Sequence, residues 1–466
     1  MKKSFLWASK EELKSDPSNV GLVQLALPML LEMVQHSTVQ LVDVAFLSRV
    51  SDTVVNAVSV STQYIILCQI ICSAVATGTI VCINQAIGMH NLQKVNKLAS
   101  ITVVVNTLLG LLFGLLFFFG ADGLLVIMAL EDAAIAAAGR YMRIVGGLMV
   151  FQSVSIVLNS LCRSMGHTRA PLLINLTSNL INLAGNYVVI FHPEWVGGVD
   201  PVTGVAAASV LGCVGGMILS ICIVTRSGVR LSMRYLHPFP MDDFKLALSI
   251  GIPGGLNNLA YCLSQLVTTS IISLTGDTMM SAKVYVSNIV HYIALLGMSF
   301  SSANTIMVGY RVGAGKYDEA KEIRAFVTRF AVLSNMVFSL LVIAANRPLI
   351  GFFTKDPLVL QLAAGIVVID FVVEIGRALN NSIAGALQAA GDVKYQLVIN
   401  QGSGWVISVG GSYLLGIVLG WGLYGVWIAF AADEMFRGLM LLRRWKSDKW
   451  MAGAKERRKI IAGDGQ

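Results

Sequence analysis

Long apolar runs recur along this chain, and they constrain its fold more than any other feature. Twelve segments of more than 20 residues are dominated by hydrophobic side chains and separated by short polar connections. A helix needs about 20 apolar residues to cross the hydrocarbon core of a bilayer. Charged residues make up only 13% of the chain, against about 25% in soluble domains. The sequence therefore predicts an all-α polytopic membrane protein with twelve transmembrane helices.

The predicted spans are approximately 20–48, 53–86, 96–119, 133–163, 169–191, 202–225, 243–275, 279–312, 322–346, 358–389, 393–419 and 421–442. Lys and Arg are concentrated in the N-terminal segment, in the loops after the even-numbered spans and in the C-terminal tail. The alternate loops 120–132 and 192–201 contain acidic residues but no Lys or Arg. By the positive-inside rule, we expect a multi-pass protein of the plasma membrane with both termini in the cytoplasm.

The two halves of the chain repeat each other. A shift of 225 residues places Pro28 on Pro253 and Gly88 on Gly313, and a shift of 221 extends the match through the last span of each half. Each copy has six spans, so the copies share one orientation in the membrane. Parallel repeats of this kind are related by an axis along the membrane normal. We therefore predict two pseudo-symmetric six-helix bundles around a central cleft.

The connection between the copies differs from the other loops, because it is long, basic and contains Pro238 and Pro240. It divides the chain into five predicted parts. These are an N-terminal segment (1–19), an N-terminal lobe (20–225), an inter-lobe linker (226–245), a C-terminal lobe (246–442) and a basic tail (443–466).

The first span carries a polar stripe. Glu32, His36, Gln40 and Asp43 lie within about 80° of one another on a helical projection. A charge placed in hydrocarbon costs several kcal/mol unless it is compensated. The stripe must therefore face protein or a water-filled cavity, either as a hydrogen-bonding seam between helices or as part of a cation-coupled transport path.

Three polar residues occur in the first copy only. None of the repeat partners of Asp43, Asn182 and Asn186 carries a carboxylate or an amide. Oxygen ligands of this kind suit H⁺ or a hard cation such as Na⁺. The alternative role for the asparagines is hydrogen bonding between helices.

The second copy has its own charges in span ten. Glu374 and Arg377 are spaced to form an ion pair on one helix, which either locks the helix or takes part in substrate binding or coupling. Pro28 and Pro253 lie inside spans one and seven. A proline inside a helix removes a backbone hydrogen bond, so each is a hinge candidate or a static kink.

These residues resemble the multidrug and toxic compound extrusion (MATE) family over about 20–445. The similar stretches are LALP at 25–28 with Asp43, RSMGH at 163–167, Asn182 with Asn186, GIP at 251–253 and QAAGD at 388–392. The resemblance implies an antiporter that uses H⁺ or Na⁺ to export organic, often cationic, compounds by alternating access.

The resemblance also implies a cation site in the N-terminal lobe. Asp43, Asn182 and Asn186 match the family's ligands in spans one and five. The family's threonine in span six falls on Gly212, and Ser209, one turn away, is the remaining ligand candidate.

Some relatives have a second cation site, which uses a glutamate in span seven and an aspartate in span ten. Those positions hold Tyr261 and Arg377 here. We therefore expect that site to be absent in its usual form, with Glu374 as a substitute.

Several other functions are disfavoured. The sequence contains no nucleotide-binding or catalytic motif, so we do not expect an enzyme. A flippase for a lipid-linked precursor would need a more cationic cleft, and a passive channel would need a ring of repeated polar residues. The expected partners are a small organic substrate and membrane lipid. We expect no nucleic acid, no cofactor beyond the coupling ion, and a monomer.

Overall fold

The apolar runs of the sequence form helices. The structure is a computed structural model that describes residues 5–7, 20–48, 52–126 and 132–462. The side chains of Gln40 and Asp43 lie outside this description, although their backbone is helical. All regular secondary structure in the described ranges is helical.

The helices of the first half are α1 (Leu22–Leu47), α2 (Asp52–Gly88), α3 (Leu92–Val126), α4 (Asp132–Tyr141), α5 (Met149–Ser164), α6 (Arg169–Phe191) and α7 (Pro201–Arg226). Those of the second half are α8 (Met241–Ser273), α9 (Asp277–Gly313), α10 (Tyr317–Ala344), α11 (Asn346–Gly351), α12 (Pro357–Ala389), α13 (Val393–Ser403), α14 (Gly411–Tyr413), α15 (Gly422–Lys446) and α16 (Lys449–Ala462).

Most predicted spans are confirmed as long helices. Eight described helices are long and apolar enough to cross a bilayer, namely α2, α3, α6, α7, α8, α9, α10 and α12. A ninth candidate span is a bent pair, Ile135–Gly146 with Met149–Ser164, which comprises most of α4, a π-helical stretch (Met142–Gly146) and α5, with a 48° bend before α5. The other three predicted spans correspond to α1, to α15 and to the segment from α13 to 418, which contains two π-helical stretches, Gly404–Gly410 and Leu414–Val418.

The chain divides into two compact units. The C-unit comprises Met1–Leu30, Asn84–Met89 and Leu256–Gln466, and the N-unit comprises Leu31–Ile83 and His90–Gly255. The divisions fall inside α1 and inside α8, and each comes two residues after the proline of that helix. The hinge role of Pro28 and Pro253 and the predicted lobe boundaries stay predictions.

In the N-unit, the first half of α8 packs closely on α2. A Cβ atom built on Gly251 would lie 2.3 Å from the carbonyl oxygen of Ala74, and one on Gly78 would lie 2.0 Å from that of Ala247. At such distances only the hydrogen atom of a glycine fits, and a larger side chain would overlap the facing backbone. Glycine at these two positions therefore lets the two helix backbones touch.

The C-unit contains the repeat-equivalent arrangement. There the first half of α1 contributes Leu25 and Ala26 to the same buried cluster as Ala303 and Met307 of α9. The 225-residue shift maps α1 onto α8 and α2 onto α9. Each unit therefore takes one helix half from the opposite half of the sequence.

The ends of α2 and α9 cross within the C-unit. A Cβ atom on Gly88 would lie 2.0 Å from the carbonyl oxygen of Tyr310, and one on Gly313 would lie 2.0 Å from that of Gln85. These two contacts are equivalent under the repeat. The crossing therefore depends on a glycine from each copy.

The described part of the basic tail consists of the end of α15 and the helix α16, which packs within the C-unit. Trp450 of α16 stacks on Trp445 of α15, with ring centroids 4.2 Å apart. Arg457 donates a hydrogen bond to the carbonyl of Ala390, and Arg458 donates one to the carbonyl of Gly313. The last carbonyls of a helix lack partners within the helix, so α16 caps the ends of α12 and α9.

The linker is attached to the start of α3 in the N-unit. Asp243 forms ion pairs with Lys94 at 2.6 Å and Lys97 at 3.1 Å. The backbone N–H of Arg230 donates to Asn96 Oδ1 at 2.9 Å. These contacts hold both ends of the linker on one helix.

Candidate functional site

A cavity of about 520 Å³ lies within the C-unit. Its lining comes from α8, α9, α12, α13 and α15, together with the π-helical stretch after α13. Most of the lining side chains are polar, and eight of them are Asn or Gln.

Six charged side chains gather at this cavity. The carboxylates are Asp370, Glu374, Asp433 and Glu434, and the guanidinium groups are Arg377 and Arg437. All four carboxylate residues are less than 9% exposed. The formal charge of the group is therefore −2 when every member is ionised.

The predicted ion pair between Glu374 and Arg377 is confirmed. Arg377 Nη1 donates to Glu374 Oε1, and Asn335 Nδ2 donates to Glu374 Oε2 at 3.1 Å. Arg377 Nε also lies 3.9 Å from an oxygen of Glu434, which accepts a hydrogen bond from Asn380 Nδ2 at 2.9 Å. The guanidinium group of Arg377 therefore forms ion pairs with two carboxylates, Glu374 on α12 and Glu434 on α15.

The charges of α15 were missed by the sequence reasoning. Arg437 Nε donates to Asp433 Oδ1 at 2.9 Å and also contacts Ser403 Oγ at 3.0 Å. The signal was available, because Asp433 and Arg437 lie at i, i+4 spacing inside the predicted span 421–442. Glu434, next to Asp433 in the sequence, is the third charged residue of α15 at the cavity.

Asp370 is the carboxylate with least compensation. Its Oδ1 accepts a hydrogen bond from Trp427 Nε1 at 3.0 Å, and the residue is 3% exposed. Among the described residues, no basic nitrogen forms an ion pair with it. A buried carboxylate without an ion-pair partner is costly. Arg377 stabilises the charge of Asp370 only through a longer-range electrostatic interaction, which favours a proton or another cation beside this carboxylate.

A second, smaller cavity of about 160 Å³ lies in the N-unit, and none of its ten lining residues is charged. Eight of these positions match lining positions of the C-unit cavity under the repeat. The matched positions are 62 and 287, 65 and 290, 69 and 294, 145 and 370, 148 and 373, 152 and 377, 209 and 430, and 213 and 434. The two cavities are therefore one feature of the repeat, and among their described lining residues only those of the C-unit cavity include charged side chains.

Three of the four predicted cation ligands come together in the N-unit. Asn182 Nδ2 donates to Ser209 Oγ at 2.9 Å, and Asn186 Nδ2 donates to Asn182 Oδ1 at 3.1 Å. A Cβ atom on Gly212 would lie 2.5 Å from the carbonyl oxygen of Ser178, which explains why a threonine is not accommodated there. The fourth predicted ligand, Asp43, has a side chain outside the described part of the structure.

The structure shows the contacts of Glu32, the first residue of the polar stripe on α1. Glu32 accepts hydrogen bonds from Arg163 Nη1 at 2.8 and 3.1 Å and from Asn175 Nδ2 at 2.8 Å. His36 is exposed, and the side chain of Gln40 lies outside the description. Glu32 therefore belongs to a hydrogen-bonded seam within the N-unit, which was one of the two predicted roles of the stripe.

Comparison with known proteins identifies the family. The sequence model of the MatE family matches residues 28–188 and again residues 253–414. The chain belongs to the MatE family. The two matches to MatE begin 225 residues apart, which confirms the internal repeat. Members of this family are transporters and not enzymes, as expected from the sequence.

Individual MatE relatives match over nearly the whole chain. The chain is 33% identical to an uncharacterized transporter, YisQ, of Bacillus subtilis, over 92% of this chain and 95% of the relative. It is 26% identical to a probable multidrug resistance protein, NorM, of Thermotoga maritima, over 92% of both. The crystal structure of an Asp-to-Asn variant of the Vibrio cholerae MATE transporter VcmN superposes with a TM-score of 0.84 at 17% identity, covering 92% of this chain and 97% of that one. These matches confirm the twelve-helix MatE fold.

Proposed function

We propose that this MatE chain is an antiporter that exports small organic cations in exchange for H⁺ or Na⁺ by alternating access. The acid-rich cavity of the C-unit is the observation that carries this proposal. It combines four buried carboxylates with two guanidinium groups inside a membrane-embedded helix bundle.

The unbalanced charge provides a basis for exchange. Leaving two negative charges uncompensated in a low-dielectric interior is expensive, so an inward-moving cation or an outgoing organic cation should occupy the cavity at each stage. Because each occupant favours a different conformation, cation entry and substrate release become linked. Asp370 is the residue best placed for this exchange, since Glu374 and Asp433 each have a guanidinium partner.

The N-unit supports a second coupling position. Asn182, Asn186 and Ser209 form a hydrogen-bonded chain, and amide and hydroxyl oxygens are ligands of hard cations. We propose that Asp43 on α1 completes this site, as the resemblance to the family implies. We propose that uptake of a cation there acts together with a hinge at Pro28, which lies inside α1.

The alternatives receive less support. A flippase for a phosphate-linked lipid needs a cationic pocket, whereas the C-unit cavity carries net negative formal charge. A passive channel would conduct without regard to an imposed gradient of a second ion. We propose a monomer in the plasma membrane, with both termini in the cytoplasm and no cofactor.

Flux in proteoliposomes tests the coupling. The purified chain would be reconstituted, and uptake of ethidium and of radiolabelled spermidine would be measured under an imposed pH gradient or an imposed Na⁺ gradient. We expect one of the two gradients to drive uptake against the substrate gradient. Asp43→Asn and Asp370→Asn should each abolish this uptake, while Asp318→Asn, at an exposed position early in α10, should leave it unchanged.

Two results would contradict the proposal. One is uptake that neither gradient drives uphill, which indicates a passive pathway. The other is full gradient-driven uptake in both Asp variants, which would remove both acid sites from the coupling mechanism.

A further inference from the structure

We infer that Glu32 is a positioning residue, which sets the register of α1 on α6 and thereby places position 43 opposite the amides of α6. The inference rests on the proposed function, in which Asp43 is a cation ligand. It draws on two contacts between α1 and α6, on the hydrogen bonds that fix the carboxylate of Glu32, and on a difference between the two copies of the repeat.

Two contacts show that α1 and α6 run side by side in the same direction. Asn175 Nδ2 donates to Glu32 Oε1 at 2.8 Å. Further along both helices, the rings of Phe46 and Phe191 meet with their centroids 5.9 Å apart. From the rise of an α-helix, these contacts are separated by about 21 Å along α1 and by about 24 Å along α6. The second half of α1 therefore lies parallel to α6 between them.

The register of this pairing brings the proposed cation ligands to one level. Asp43 follows Glu32 by eleven residues. Asn186 follows Asn175 by the same number. Eleven residues make about three helical turns, so both members of each pair lie on nearly the same face of their helix. The contact of Glu32 with Asn175 therefore sets position 43 at the level of Asn186, which donates a hydrogen bond to Asn182.

Glu32 is held by two other helices of the N-unit. Its carboxylate accepts hydrogen bonds from Arg163 Nη1 of α5 at 2.8 and 3.1 Å, in addition to the one from Asn175. The amide of Asn175 is itself oriented, because its Oδ1 accepts a hydrogen bond from Asn159 Nδ2 at 3.3 Å. Hydrogen bonds to an ionised acceptor are about twice as strong as those between neutral groups. The carboxylate therefore fixes α1 on its neighbours more firmly than an amide would.

The position of Glu32 along α1 makes this contact important. The part of α1 that belongs to the N-unit begins at Leu31, and Pro28 lies just before it inside the helix. Proline has no backbone N–H, so it removes a hydrogen bond from the helix. A slip of one residue would move position 43 by about 1.5 Å along the axis, whereas a binding site needs its ligands held to within about 0.5 Å. Glu32 supplies the polar contact that opposes such a slip.

The second copy of the repeat has neither the acid nor the charged contact. At the positions that match Glu32, Arg163 and Asp43, it has Asn257, Gln388 and Thr268. Asn257 Oδ1 accepts a hydrogen bond from Gln401 at 3.2 Å. The residue that matches Gln401 in the first copy is Leu176, which has no amide. The charged contact and the acid that it positions therefore occur together in the first copy.

Photo-cross-linking tests the register without any ion gradient. The purified full chain with Phe46→p-benzoylphenylalanine would be irradiated, and mass spectrometry would identify the attached residue of α6. We expect attachment within one turn of Phe191. Glu32→Ala and Asn175→Leu should each lower the yield at this site at least about threefold, because the hydrogen bond between the two helices is lost.

The cation dependence of transport tests the consequence for the site. Gradient-driven uptake would be measured in proteoliposomes over a series of Na⁺ concentrations and pH values. For Glu32→Ala we expect half-saturation at a concentration of the coupling cation at least about tenfold higher, or about one pH unit lower if that cation is H⁺, with little change in the maximal rate. A merely structural role would lower the amount of folded protein and leave the half-saturating concentration unchanged.

Two control variants separate position from charge and folding. Glu32→Asn with Arg163→Gln reproduces the neutral residues of the second copy and leaves no unpaired guanidinium group. It should have a melting temperature near that of the parent, yet show the lower cross-linking yield and the weaker cation dependence. Glu319→Gln removes a carboxylate that pairs with Arg311 at 3.0 Å in the C-unit, and it should leave both measurements at the parent values.

The outcomes distinguish this inference from the proposed function. An unmoved cross-link in Glu32→Ala and Asn175→Leu, or a displaced cross-link with unchanged cation dependence, would overturn the inference. If neither gradient drives uptake by the parent, the antiport proposal fails; a displaced cross-link then still supports the register role of Glu32, and an unmoved one overturns it. If Glu32→Ala does not fold, Asn175→Leu and the double variant decide the question in the same way.

Discussion

Arg377 should be needed for stability only while the buried carboxylate of Glu374 is its partner. The Glu374 side chain is 0% exposed and that of Arg377 is 21% exposed. Removing one partner of a buried pair costs about 3–5 kcal/mol, because the other charge stays buried. Since Arg377 is partly exposed, we expect Arg377→Gln to lower the free energy of unfolding by about 3 kcal/mol, the lower end of that range.

The repeat supplies a compensating change. Met149 and Gln152 occupy the matched positions in the first copy, so the double variant Glu374→Met with Arg377→Gln reproduces a pair that the same fold already accepts. Replacing both members of a buried pair by neutral groups is often close to neutral in stability. We expect the double variant to recover at least about 2 kcal/mol relative to Arg377→Gln alone.

The free energy of unfolding would be measured by reversible denaturation of the purified protein in mixed micelles. A loss of about 3 kcal/mol changes the unfolding equilibrium constant by more than about 100-fold, which is well resolved. Arg143→Gln is the matched control, because Arg143 pairs with Asp122 where the two side chains are 39% and 66% exposed. Exposed pairs contribute about 0–1 kcal/mol. The reasoning is refuted if Arg377→Gln is as stable as the parent, or if the double variant is no more stable than Arg377→Gln.

Three further predictions concern close packing. Gly212→Thr should lower the free energy of unfolding by about 1–3 kcal/mol or more, because its Cβ would lie 2.5 Å from a backbone oxygen. In the control variant Gly254→Ala, the added Cβ meets no atom within 4 Å, and the melting temperature should change little. Gly88→Ala should force α2 and α9 apart, since its Cβ would lie 2.0 Å from a facing carbonyl oxygen, and its melting temperature should fall by more than that of Gly254→Ala. Trp450→Ala removes a side chain that is 1% exposed and should destabilise the packing of α16 by about 3–5 kcal/mol. Limited proteolysis would detect this as faster cleavage at the basic residues of α16, and cleavage at the parent rate would contradict the prediction.

Local patterns in the sequence predicted much of the fold. Hydropathy predicted twelve spans, and eight of them are long apolar helices in the described structure, because a membrane helix must satisfy its backbone internally and present apolar side chains outward. The 225-residue repeat was recognisable because prolines and glycines of the two copies, such as Pro28 and Pro253, are separated by the same number of residues. The contact of Glu374 with Arg377 was also predictable, since i, i+3 spacing places both side chains on one face.

Long-range convergence was not predictable in the same way. Asp433, Glu434 and Arg437 meet the charges of α12 only because α12 and α15 are neighbours around one cavity, and one sequence without an alignment does not reveal that pairing. Glu32 was grouped with Asp43 by helical periodicity, yet its partner Arg163 lies 131 residues away. Periodicity predicts which residues share a face, but not what that face contacts.

The division of α1 and α8 between the units has a practical consequence for protein engineering. A fragment cut at the linker would lack the helix half that the other fragment normally lends it, so each fragment expressed alone would display an uncovered groove. Two fragments produced in the same cell could cover each other and regain a working transporter. Likewise, a chimaera that joins this protein to a relative should exchange whole units, with 1–30 and 84–89 following the second half and 241–255 following the first.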